Sequence, residues 1–161
     1  MTTTLPQGDL RLLDTDVAQR RLTALAPLRL AYVAKDGTPR VVPVLFHWDG
    51  EEIVMGGFAS SARGRALRSN PRVAITLDTE GAQPEVLSLR GDAVVTEVRG
   101  VVPEYETYMR AGMPADAADG YFAALRAQDV LMERIAVRPD WAAVVDFQTR
   151  FPVPMPEWLR S

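Results

Sequence analysis

The chain has 161 residues, 47% hydrophobic and 24% charged, which fits one globular domain and is too apolar for a disordered chain. Eighteen basic against 21 acidic residues leave a formal net charge of −3, which disfavours a nucleic-acid binder or a polybasic membrane reader. Cysteine is absent, which excludes thiolate nucleophiles, disulfides and cysteine-ligated metals, and the one histidine, His47, excludes a multi-histidine metal site within one chain. No apolar run approaches the ~20 residues of a membrane span. Residues 1–9 carry neither the basic nor the apolar region of a signal peptide, so a cytoplasmic location is the expectation.

Residues 1–8 read as a loose end. A helix is expected over 9–26, capped by Asp9 or Asp14, with Val17, Leu22 and Leu25 on one side and Arg20 and Arg21 on the other. Pro27 stops it, and the period changes to that of strands. A strand at 28–34, a turn at Lys35-Asp36-Gly37, a long strand at 40–48, a turn at Asp49-Gly50 and a strand at 52–56 read as a three-stranded meander. Pro43 inside the second strand predicts an edge position, a bulge or an opening in the ladder. A short helix over 60–69 ends at Asn70-Pro71, because the residue before proline avoids the helical region. Strands follow at 72–78 and 85–98, the second with a break or bulge at Gly91. Two helices, 103–111 and 116–127, flank Gly112-Met113-Pro114. Strands at 133–138 and 141–147 read as a closing hairpin around Pro139-Asp140. The tail from Phe151 to Trp158, with three prolines in five residues, is expected to run extended.

Antiparallel neighbours dominate this order. A mainly β fold with α is therefore expected, a small closed or split barrel with flanking helices. It forms a single domain over 1–161: the helix at 9–26, the barrel with its inserted helices at 28–147, and the tail at 148–161.

The stretch richest in chemistry is Gly57-Phe-Ala-Ser-Ser-Ala-Arg-Gly-Arg-Ala-Leu-Arg68. It sets Ser60 and Ser61 at a helix start, with Arg63 and Arg65 in the first turns. Free N–H groups, the positive end of the helix dipole, hydroxyls and guanidinium groups together suit a phosphate. Arg40, at the start of a neighbouring strand, can approach the same anion. The competing reading is a capped surface helix with solvated arginines. His47 reads either as a packed histidine or as a cofactor contact or haem ligand. Asp78, Asp92, Glu97 and Asp146 form no paired-carboxylate pattern and read as solvated, and Tyr121, Trp141 and Phe147 read as core or subunit-contact residues.

Four pieces, in order over residues 28–98, resemble the pyridoxamine 5′-phosphate oxidase-like split-barrel flavoproteins. They are Gly37-Thr-Pro-Arg-Val-Val-Pro-Val44, Trp48-Asp-Gly50, Ser61-Ala-Arg-Gly-Arg-Ala-Leu-Arg-Ser-Asn-Pro-Arg-Val73 and Leu89-Arg-Gly-Asp-Ala93. The resemblance implies a six-stranded antiparallel split barrel that forms a homodimer, with a flavin in the groove between subunits. It implies a phosphate grip at Ser60, Ser61, Arg63 and Arg65, and a strand facing the ring at Arg40, Val42, Pro43 and Val44. Met55 and Gly56 match the next lining positions. Val44, Leu45 and Phe46 replace the basic residue that true pyridoxamine phosphate oxidases carry after Arg40, and residues 151–161 lack their substrate-binding Arg/His signature. These departures point away from vitamin B6 oxidation itself. The sequence looks closer to the actinobacterial branch that uses FMN or the 5-deazaflavin coenzyme, whose anionic tail Arg11, Arg20 and Arg21 could hold. An oxidoreductase of a small-molecule substrate is the leading expectation, with no nucleic-acid or membrane partner. A non-catalytic carrier or sensor of flavin or haem on the same fold is the alternative.

Overall fold

The computed structural model describes residues 5–153. The expected N-terminal helix is two helices. A 3-10 helix spans Leu10–Asp14, and α1 spans Asp16–Thr23. Thr15 separates them: its backbone is extended, its hydroxyl donates to the Leu12 carbonyl at 2.7 Å, and the same oxygen accepts from the Ala18 N–H. One side chain therefore ends one helix and caps the next. Leu12, Ala18 and Leu22 are buried, whereas Leu25, expected on the packed side, lies past the helix end and is 55% exposed.

The strands are β1 (Leu28–Val33), β2 (Pro39–Val44), β3 (His47–Trp48), β4 (Ile53–Phe58), β5 (Arg72–Asp78), β6 (Val86–Arg99) and β7 (Leu131–Val145). The helices α2 (Ala62–Ser69), α3 (Pro103–Ala111) and α4 (Ala115–Ala127) are inserted between them. All seven strands form one antiparallel sheet in the order β2-β1-β5-β6-β7-β4-β3.

The sheet corrects the expected three-stranded meander. β1 and β2 pair from Leu28↔Val44 to Val33↔Pro39, around Gly37 at φ +80°. The long strand expected over 40–48 breaks at Leu45-Phe46. Phe46 turns into the core, and β3 pairs with β4 at the far edge of the sheet. Pro39 and Pro43, which have no N–H to offer a ladder, thus lie on an edge strand. The three Cα steps from Val44 to His47 reach at most about 11 Å. The two edges must therefore approach each other there, and the sheet curls. The ladder has seven strands rather than six and is not closed by hydrogen bonds. Core side chains converge from all the longer strands: Leu30, Val44, Met55, Ile75, Leu89 and Ile135 are all in one buried cluster.

The hairpin expected around Pro139-Asp140 is also corrected, because β7 runs straight through it. Pro139 lies opposite Gly91, where the β6–β7 register shifts between Arg90 and Gly91. A Cβ on Gly91 would stand 2.5 Å from the Arg138 carbonyl oxygen, so the glycine admits the close backbone approach and the bulge absorbs the proline. β7 consequently spans 15 residues and is bonded to both β6 and β4. Part of the expected extended tail, residues 154–161, lies outside the described residues. Among the described residues no helix is long and apolar enough to cross a membrane.

Candidate functional site

The start of α2 lies over the ends of β4 and β7. Ser61 is its N-cap, and Ser61 Oγ accepts from the Gly64 N–H at 2.8 Å. The same hydroxyl donates to Glu133 Oε2 at 2.8 Å, and Arg68 donates to Glu133 Oε1 at 2.7 Å. The Glu133 side chain is 1% exposed. Burial alone would raise its carboxyl, but the bonds from Arg68 and Ser61 outweigh that and hold it below the usual carboxylate range. The protein thus places a carboxylate of its own against the first turn of α2, the end where the helix dipole favours negative charge. Gly64 is what allows this approach, since a Cβ there would collide with the carboxylate. Glu133 was not read from the sequence as a site residue. Its signal was the period of two: residues 133, 135 and 137 share one strand face, and Ile135 and Val137 are fully buried.

Adjacent glycines in β4 face opposite sides. Gly56 packs against Tyr105 of α3, where a Cβ would come within 2.6 Å of the Tyr105 Cβ. Gly57 sits beneath Arg63, whose Nη2 lies 3.2 Å from where a Cβ on Gly57 would be. Arg63 is half-buried. Among the described residues no carboxylate pairs with it, and its buried Nε has no hydrogen-bond partner. An unsatisfied buried donor on a guanidinium is costly and calls for an acceptor. Tyr108 is nearby and only 6% exposed; burial pushes its phenol up to about 12, against the lowering effects of the Gly56 N–H and the Arg63 charge. Tyr105 is pushed further by burial and by the 2.6 Å bond between its hydroxyl and that of Tyr121.

The remaining expected grip residues divide. Ser60 is exposed and left-handed, with φ +65°, and the Arg65 guanidinium folds back onto its carbonyl. Arg65 and Arg40 line one cleft of about 330 Å³ with Tyr32, Lys35 and Asp36. Arg40 is tied within its own turn, to Thr38 at 2.5 Å and Asp36 at 3.2 Å. The structure therefore brings Arg40 and Arg65 together, whereas Arg63 faces Gly57 and Ser61 is bonded to Glu133. Val44 and Met55 point into the core and Val42 packs partly against it, while Pro43 is exposed. The three N-terminal arginines weighed for an anionic tail are already paired: Arg11 with Asp9 at 2.5 Å, and Arg20 and Arg21 with Glu85.

His47 lines a different space, a cavity of about 270 Å³ between α1, β3 and α3. Among the described residues no group of three or more His, Asp or Glu side chains is arranged to hold a metal ion.

No curated protein matches the chain. Several solved structures do. An F420 reductase shares 25% identity, covering 78% of this chain and 94% of that one, with a TM-score of 0.51. A conserved hypothetical protein from Mycobacterium tuberculosis shares 14% identity over 98% of this chain and 99% of that one, with a TM-score of 0.63. The haem storage protein HutZ from Vibrio cholerae shares 21% identity over 84% and 94%, with a TM-score of 0.53. The last two are likenesses of fold. The family model described as pyridoxamine 5′-phosphate oxidase matches residues 15–134, from the cap of α1 to the first residues of β7, and on that match the chain belongs to the pyridoxamine 5′-phosphate oxidase family.

Proposed function

We propose that this protein is an oxidoreductase that holds FMN or the 5-deazaflavin coenzyme by its phosphate at the seam of a homodimer. The observation that carries the reading is Arg63, a half-buried guanidinium in the first turn of α2 with an unpartnered Nε and no pairing carboxylate among the described residues. A phosphate supplies the missing acceptor, and a charge-assisted bond of this kind is short and strong. Ser60, exposed beside it, can add a hydroxyl. Arg40 and Arg65 extend the positive surface toward their shared cleft. β2 is an edge strand, so its outer backbone groups are available to the polar rim of a ring without breaking the sheet. When bound, the cofactor supplies the redox chemistry, while the chain binds, orients and leaves one ring face open to a small-molecule substrate. The similarity to an F420 reductase supports including the deazaflavin.

Arg63→Ala tests the grip. The expected loss of cofactor affinity is about 1–3 kcal/mol. Unchanged affinity in a folded variant removes Arg63 from the reading. The absorbance of the purified protein distinguishes a flavin from a Soret band, and titration with the deazaflavin tests the second cofactor. Turnover with reduced cofactor and an acceptor separates an enzyme from a carrier. The homodimer is tested by sedimentation: a monomer with full cofactor affinity is incompatible with a site at a seam.

A further inference from the structure

The start of α2 already holds the protein's own carboxylate, and we infer that Glu133 makes the grip selective for a phosphate with one negative charge, a phosphodiester, over a doubly charged phosphomonoester. The inference rests on the reading of Arg63 as the phosphate contact. It bears on both candidate cofactors, because FMN carries its phosphate as a monoester and the 5-deazaflavin coenzyme carries it as a diester.

Two observations carry it. The first is that the groups at this helix start that would hold a second negative charge are already engaged. The Ser61 hydroxyl donates to Glu133 Oε2 and Arg68 donates to Oε1, and with no side chain on Gly64 the carboxylate lies against the first turn, where the helix dipole acts on it. Arg40 is tied to Asp36 and Arg65 to the Ser60 carbonyl, and those two line a cleft of their own. Arg63 is left as a single positive charge whose buried Nε has no partner. The second observation is where the carboxylate stands. Gly57 and Glu133 are opposite each other in the β4–β7 ladder, so their Cβ directions share one face of the sheet, about 4.5–5.5 Å apart. Arg63 Nη2 lies 3.2 Å from the Gly57 position, and therefore within about 9 Å of the Glu133 Cβ. An anion on Arg63 has Glu133 as a neighbour. Arg68 offsets that charge only in part, since its side chain is 38% exposed and screened by water while that of Glu133 is 1% exposed. Repulsion grows in proportion to the charge on the ligand, so a dianion meets twice the penalty of a monoanion.

The probes are FMN and its phosphate monomethyl ester, which share one ring system and differ by one charge at pH 8, above the second ionisation of a phosphomonoester near pH ~6. Each is titrated into the purified full chain and followed by flavin fluorescence, with riboflavin as the uncharged control. The wild-type protein is expected to bind the ester at least as tightly as FMN. Glu133→Gln keeps the shape and an acceptor for Ser61 while removing the charge. At a separation of about 10 Å, one charge on another is worth about three- to fourfold in affinity, and a doubled charge squares that factor. Glu133→Gln is therefore expected to tighten the ester about threefold and FMN about tenfold, which reverses their order. Arg68→Gln, from a partly exposed position, runs the test in the opposite sense and is expected to weaken FMN more than the ester. A role for Glu133 in holding α2 alone would move both probes by the same factor, and that result overturns the inference. So does tighter binding of FMN than of the ester by the wild-type protein. In either case the phosphate grip stands if Arg63→Ala still weakens both probes, whereas riboflavin binding as tightly as FMN and the ester removes the grip and the inference together.

Discussion

Gly64→Ala tests whether Glu133 occupies the start of α2 as described. A Cβ at position 64 would stand 2.6 Å from Glu133 Cδ and nearer still to Oε2, where real Cβ contacts under 3.0 Å essentially never occur. The carboxylate cannot step aside freely, because it is buried and held at 2.8 Å by Ser61 and 2.7 Å by Arg68. Stranding a buried polar group costs about 1–3 kcal/mol, and more when it is charged, so Gly64→Ala is expected to destabilise by about 2–3 kcal/mol. In a Glu133→Ala background the obstruction is gone. Gly64 is an ordinary helical residue of α2, and alanine there should then stabilise by about 0.5–1 kcal/mol over glycine. The same substitution changes sign between backgrounds, a coupling of about 3 kcal/mol, at the upper end for residues in contact. Urea midpoints at unchanged m-value, each compared with its own parent, give the four corners of the cycle. If Gly64→Ala costs the same with and without Glu133, the carboxylate is not what requires the glycine, and the account of this helix start is wrong.

Gly56→Ala drives a Cβ to 2.6 Å from the Tyr105 Cβ, both atoms fixed by backbone, and overpacking of this kind costs about 1–3 kcal/mol; a thermal melt unchanged from the parent would refute the close packing of α3 on β4. Asp146 accepts from the Gln148, Thr149 and Arg150 N–H groups at 2.9, 2.7 and 2.7 Å and from the Thr149 hydroxyl at 2.6 Å. Burial alone would raise its carboxyl, but these bonds outweigh it and bring the group down from 3.8 to about 2. The folded value is the lower one, so the stabilisation is present above the ordinary value and is lost as pH falls from about 4 toward about 2. Asp146→Asn should flatten that acid limb, and a carboxyl titrating at its ordinary value in the folded protein would refute the assignment.

Much of the fold was legible because its signals are local. Strand 72–78, helix 103–111 and the irregularity at Gly91 all appear where alternation, proline and glycine put them. Pro43 was read as marking an edge position, a bulge or an opening in the ladder, and the first of these holds, since β2 is an edge. Two readings failed at the same kind of place. Pro139-Asp140 looks like a turn because proline and aspartate favour turns, yet the register shift opposite Gly91 accommodates it within one strand. Residues 40–48 look like one strand, yet burial of Phe46 takes the chain from one sheet edge to the other. A pattern of alternation records which face is apolar; it holds no information about which neighbour the strand will pair with.

The candidate site divides in the same way. Ser61 at a helix start and Arg63 in the first turns are properties of a short stretch and were readable from residue type and spacing. That Arg63 has no pairing carboxylate among the described residues while Arg20 and Arg21 share Glu85 was not readable, since Glu85 lies 65 positions from Arg20 and is brought up by folding; the pairing of Arg11 with Asp9, two positions away, is local. Nor was it readable that Ser61 serves Glu133, 72 positions along the chain. A cap is settled within four residues, because its partners are the adjacent N–H groups. Charge compensation and burial are settled by distance in space, and distance in space exists only once β7 lies beneath α2.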